Sequence, residues 1–121
     1  MMTPMKDITP VAPSGEALIR VYNGKLSLNA EAKRLLQLDN DSRVAFRVST
    51  SEDKRLYVAK KKYSAYKLIP HGHGYRIHSC SLCRSIAEKL QGYGTYRIEA
   101  ENPIRDINGD VCYPVFFHKY L

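Results

Sequence analysis

The most constraining feature of the sequence is the Asn23-Gly24 dipeptide, which stands between two short runs of alternating apolar and polar residues. Both residues tolerate positive φ, as the tight turn of a β-hairpin requires, so A-L-I-R-V-Y (17–22) and K-L-S-L (25–28) are expected to pair as strands. Leu26 and Leu28 then share one face. Asn29 stands where a helix N-cap belongs, its side-chain oxygen able to take an orphan backbone N–H. The segment A-E-A-K-R-L-L-Q-L places Ala32, Leu35 and Leu36 at i, i+3 and i+4, the apolar face of a short helix. Glu31 suits the positive end of that helix dipole. After the turn D-N-D-S, residues 43–50 alternate, with Val44, Phe46 and Val48 on one face and Arg43 and Arg47 on the other. Arg55–Ala59 adds Leu56 and Val58 to the core, and Lys60-Lys61-Lys62 closes the unit. Its order is strand, strand, helix, strand, strand.

From residue 68 the order recurs. An offset of 50 residues aligns Gly24 with Gly74, Asn29 with Ser79, Arg34 with Arg84, and A-F-R-V (45–48) with T-Y-R-I (95–98). Tyr75 and Ile77 have the opposite phase to Leu26 and Leu28, so a one-residue bulge or slip must separate the copies. Leu82, Ile86 and Leu90 mark a slightly longer second helix capped by Ser79. The run V-C-Y-P-V-F-F (111–117) is the final strand after an Asn108-Gly109 turn, and Pro114 argues for an edge or bulge there. The histidine-glycine pairs at 71–74 read as a flexible connector between the copies. Residues 1–16, with Pro4, Pro10 and Pro13 and no periodicity, read as a flexible tail. The expected organisation is a tail over 1–16, one repeat over 17–67, and a diverged second repeat over 68–121 sharing the same core.

Charge narrows the function. The 121 residues hold 19 Lys and Arg against 12 Asp and Glu, a net +7. Residues 17–67 carry twelve basic and five acidic side chains, +7, whereas residues 68–121 carry six and five, +1. A one-sided basic excess is the footprint of a polyanion binder, since phosphates attract it and counterion release drives association. It is equally the composition of a surface kept charged for solubility. No apolar run approaches the roughly 20 residues needed to span a bilayer, and no signal-like segment opens the chain. Three cysteines, an odd number, point to a reducing cytoplasm.

Residues 17–63 resemble the AbrB-like (SpoVT/MazE-type) swapped-hairpin family. The resemblance rests on N-G-K-L-S-L-N-A-E-A-K-R-L-L-Q-L, R-V-A-F-R-V and R-L-Y-V-A-K-K-K-Y. Gly24-Lys25 stands at the family's Gly-Arg position, Lys33-Arg34 at its paired basic residues, and Leu36 and Leu38 close the helix. Asn29 replaces the usual proline and Gln37 a frequent glycine. The resemblance implies a mainly β fold with short helices (α+β), a swapped-hairpin or cradle-loop β-barrel. The family normally builds its barrel from two chains, so a homodimer is expected, or a monomer if the two ββαββ-like repeats of one chain close one barrel.

It also implies a DNA-binding surface. Carried over by position, this comprises Arg20, Lys25, Lys33 and Arg34. By strand alternation Arg43 and Arg47 face outward, placed either to extend the patch or to face a partner subunit. Lys33 and Arg34 fall off the apolar helix face and are expected to be solvated and available to phosphates. The lysine run at 60–62 fits an edge guard or solvated surface better than a reader. The expected function is a small transcriptional regulator or antitoxin-like protein that binds duplex DNA without catalysis. No P-loop, nucleophile elbow, H-E-x-x-H or dinucleotide glycine pattern is present, and no cofactor is expected. The alternatives are a barrel that binds protein or RNA with an incidental basic surface, and a zinc-stapled domain. The latter draws on His71, His73, His78 and the Cys80-x-x-Cys83 spacing, which also reads as an ordinary helix start with Cys83 packed in the core. The tyrosines at 22, 57, 75, 96 and 113 read as sheet packing.

Overall fold

Asn29 organises the start of the fold. Its Oδ1 accepts the Ala32 N–H (2.9 Å) and the Leu18 N–H (3.0 Å), and its Nδ2 donates to the Glu16 carbonyl (3.0 Å). One side chain thus caps a helix and ties it to the first strand. The computed structural model describes residues 15–49, 55–61, 66–90 and 92–117. Their order is β1 (Ala17–Val21), β2 (Lys25–Leu28), α1 (Ala30–Leu36), β3 (Arg43–Val48), β4 (Leu56–Lys61), β5 (Tyr66–Lys67), β6 (Ile69–His71), β7 (Gly74–His78), α2 (Cys80–Lys89), β8 (Gly94–Ile98), β9 (Ile104–Arg105) and β10 (Val111–Phe117).

The strands form one antiparallel sheet in the order β5-β3-β4-β10-β8-β1-β2-β7-β6, with β9 attached to β10. Its two ends, β5 and β6, are separated in the chain by Leu68 alone, so the sheet curls into a nearly closed barrel. Period-2 alternation fills the interior. Ile19, Leu26, Val44, Val58, Leu68, Ile77 and Tyr96 are fully buried there, and each aliphatic side chain among them contributes roughly 1.5–3 kcal/mol. Ala32 and Leu36 of α1 and Leu82, Cys83 and Ile86 of α2 join the same core. No helix among the described residues is long and apolar enough to cross a membrane.

The sequence periodicity finds both helices, both caps and the strands of the core. Three features differ. Residues 71–74 are no flexible connector: His71 pairs with Gly74 across a tight hairpin turn joining β6 to β7. Strand β10 lies in the interior of the sheet, not at an edge. It pairs with β4 over Cys112–Pro114 and with β8 over Val115–Phe117, and Pro114 falls between the β9 and β8 ladders, where its missing N–H breaks neither. The short strands β5 and β9 carry no alternation and were not expected.

One close fit holds the β2–β7 region. A Cβ on Gly74 would stand 1.9 Å from the Leu28 carbonyl oxygen, so only glycine lets β7 lie against the end of β2. At the end of α1, Gln37 takes the left-handed conformation (φ 54°, ψ 50°) that glycine would adopt without strain. The hairpin turns at 22–25 and 71–74 lie 49 residues apart in the chain, and the helix caps Asn29 and Ser79 lie 50 apart.

Candidate nucleic-acid interface

Strand alternation that turns Ile19, Leu26, Tyr75 and Ile77 inward turns Arg20, Ser27 and Arg76 outward. Register aligns them in one row across the sheet, Arg20 opposite Ser27 and Ser27 opposite Arg76. At the usual strand spacing the two arginine Cα atoms are about 10 Å apart. Lys25 follows at the hairpin turn, opposite the exposed His78. Arg20, Tyr22, Lys25, Ser27, His71 and Arg76 line a cleft of about 170 Å³, and none of the six is acidic.

Contacts within this cleft arrange donors without neutralising them. The Lys25 ammonium lies 5.4 Å from the centre of the exposed Tyr22 ring, a cation–π contact that leaves the charge intact. Arg76 Nη2 lies 2.9 Å from His71 Nε2, which accepts when the imidazole is neutral. The Arg76 Nε–H is buried and has no hydrogen-bond partner among the described residues. A buried guanidinium donor without an acceptor is costly, and an anionic oxygen is the acceptor it suits best. No carboxylate among the described residues forms a salt bridge with Arg20, Lys25 or Arg76.

The other basic residues singled out from the sequence lie elsewhere. Lys33 is half-buried, its ammonium 5.4 Å from the centre of the buried Tyr75 ring. Arg34 is exposed but ion-paired with Glu31, and it lines a second cleft with Glu16, Glu31, Arg97 and Glu99. Arg43 is half-buried on β3, between Lys61 and Lys67 in register. Arg47 is held by two carboxylates: it pairs with Asp106, and its Nη2 lies 3.3 Å from Asp110 Oδ2. Lys61 reaches the same Asp110 oxygen at 2.7 Å, and Lys60 donates to the Gln37 carbonyl at 2.9 Å. Lys62 lies outside the described residues.

These pairings set the acidities. Asp110 is held below the ordinary carboxylate value, first by the Lys61 hydrogen bond and then by the Lys61 and Arg47 charges. Glu99 is lowered mainly by the hydrogen bond from Arg97. Asp39 is lowered by the Ser42 hydroxyl and then by the Asp41 backbone N–H. Cys80 is exposed at the start of α2, whereas burial pushes the Cys83 and Cys112 thiols up. Among the described residues no three His, Cys, Asp or Glu side chains converge as a metal site requires.

Arg20 and Lys25, two of the six basic residues singled out from the sequence, come together. Arg76, not singled out from the sequence, and His71, singled out there only as a zinc-ligand candidate, join them. The alternation Y-R-I at 75–77 already marks Arg76 as outward-facing, but only the β2–β7 pairing brings it beside Arg20. Comparison of the chain with protein-family models, curated proteins and solved structures finds no match.

Proposed function

We propose that this chain binds duplex DNA through the outward face of β1, β2 and β7, acting without catalysis as a small transcriptional regulator or antitoxin-like protein. One observation carries the reading: Arg20, Lys25 and Arg76 line a single cleft that has no acidic residue in its lining among the described residues. Three cations without a salt bridge among the described residues, grouped on one face, suit backbone phosphates, and a guanidinium can also read a guanine edge. The sequence resemblance to AbrB-like proteins supports the same reading, because in that family the first hairpin faces DNA.

In this reading the chain is an internally duplicated swapped-hairpin barrel, the second copy starting at β5 (Tyr66), two residues before the boundary at 68 expected from the sequence. The pairing pattern favours it. Exchanging β1 with β5 and β6 together, β2 with β7, β3 with β8 and β4 with β10 maps every pairing among them onto another, while β2·β7 and β4·β10 map onto themselves. A chain that supplies both copies binds as a monomer in the cytoplasm, with no partner copy needed to complete the face.

The test is the salt dependence of binding to random-sequence duplex. Three phosphate contacts predict a slope of log K on log salt of about −3, reduced by about 1 in Arg20→Gln, in Lys25→Gln and in Arg76→Gln. Absence of binding at low salt, or a slope indifferent to all three substitutions, rejects the proposal.

A further inference from the structure

The candidate face consists of two hairpins lying side by side, β1–β2 and β6–β7, joined through the β2·β7 ladder. Both close through a two-residue turn, Tyr22 N–H donating to Lys25 O (2.9 Å) in one and His71 facing Gly74 in the other. At the offset of 49 residues that superposes these turns, Ser27 corresponds to Arg76. Those two residues are also directly opposite each other in the ladder. A local two-fold axis relating the hairpin backbones therefore passes through the Ser27–Arg76 pair.

The side chains do not follow that axis. Arg20 corresponds to Ile69, which is 44% exposed, and Tyr22 corresponds to His71. Lys25 corresponds to Gly74, which no side chain can replace because of the Leu28 carbonyl. On the axis itself a hydroxyl faces a guanidinium. One hairpin thus offers two permanent cations and a phenol, and the other an imidazole and an exposed isoleucine beside the single arginine near the axis. Proteins whose two-fold axis carries identical side chains read palindromes, because equal half-sites meet equal surfaces. Here the backbone symmetry would place two similar hairpins on a duplex with unequal readers.

We infer that the partner is a non-palindromic duplex site whose two half-sites differ, bound by one chain. This rests on the duplex-binding reading above. The half-site under β1–β2 is held by Arg20 and Lys25 through phosphates and a purine edge. The half-site under β6–β7 meets His71 and Ile69, and an isoleucine suits an apolar thymine methyl better than a phosphate. Arg76 contacts the centre.

Selection of binders from random-sequence duplexes by the full chain, followed by measurement of chains bound per duplex, decides the matter. The expected motif lacks two-fold symmetry and binds one chain. Arg20→Gln should cost roughly ten-fold or more in discrimination within one half of that motif and leave the other half unchanged. Ile69→Arg, at an exposed position, supplies the missing counterpart of Arg20 and should shift the selected motif toward a palindrome. A palindromic motif for the natural sequence, or two chains per site, overturns the inference. Retention of duplex with no enriched motif also overturns it while leaving duplex binding intact. Retention of no duplex at all rejects both.

Discussion

Two groups of basic side chains on this barrel show how little charge alone decides. Arg20, Lys25 and Arg76, on β1, β2 and β7, line a cleft without a carboxylate. Arg47 and Lys61, on β3 and β4, are the same residue types on equally regular strands, yet Asp106 and Asp110 pair with them. The difference comes from the excursion between β8 and β10, which brings two aspartates back over the outer face of the β3–β4 pair. Each of these five cations counts equally toward the net +7. In the proposed reading the first group meets the polyanion, because the second already has its counter-ions.

The largest way to break this comparison is to remove the first region's architecture. Gly74→Ala places a Cβ against the Leu28 carbonyl, and the strands must separate or shift. We expect destabilisation of about 3 kcal/mol or more, read by urea denaturation, with loss of duplex binding. The comparison is sharpened by freeing the second region. In the double variant Asp106→Asn/Asp110→Asn, Arg47 and Lys61 lose their carboxylates and become available to phosphates. Duplex affinity at low salt should rise several-fold and the salt slope steepen by about 1 to 2. An unchanged slope would show that pairing is not what silences them.

Acid makes a smaller change in the same place. Asp110 has a folded-state pKa below its unfolded value, so its stabilising contribution is present above the unfolded value and is lost as pH falls through the folded one. Melting temperature should therefore decline more steeply below about pH 4 in the natural sequence than in Asp110→Asn. The smallest effect belongs to Gln37→Gly. Relief of the left-handed strain exceeds the added unfolded-state entropy, raising stability by up to about 1 kcal/mol without altering the binding face.

Much of the fold is legible in the sequence because its signals are local. Asn23-Gly24, the caps Asn29 and Ser79, and the alternation around Leu26, Val44 and Val58 each report on a few adjacent residues. The short strands β5 and β9 escape because two residues carry no period. The interior position of Pro114 escapes because a proline's tolerance depends on which neighbours pair where. Half of the candidate site is hidden for the same reason. Arg76 belongs to a nearly neutral stretch of sequence, and only the long-range β2–β7 register sets it beside Arg20. In contrast, Arg34 and Arg47 look available in sequence because Glu31 sits one helical turn away and Asp106 and Asp110 lie far along the chain.

The direct test of the account is a matched pair of double variants titrated with one duplex at low and moderate salt. Arg20→Gln/Arg76→Gln removes two cations of the unpaired group, and Arg47→Gln/Lys61→Gln removes two of the paired group, an equal change in net charge. The account predicts that the first loses roughly ten-fold or more in affinity, with a salt slope shallower by about 2, while the second stays within about two-fold. Equal losses in the two variants, or a larger loss in the second, would contradict it.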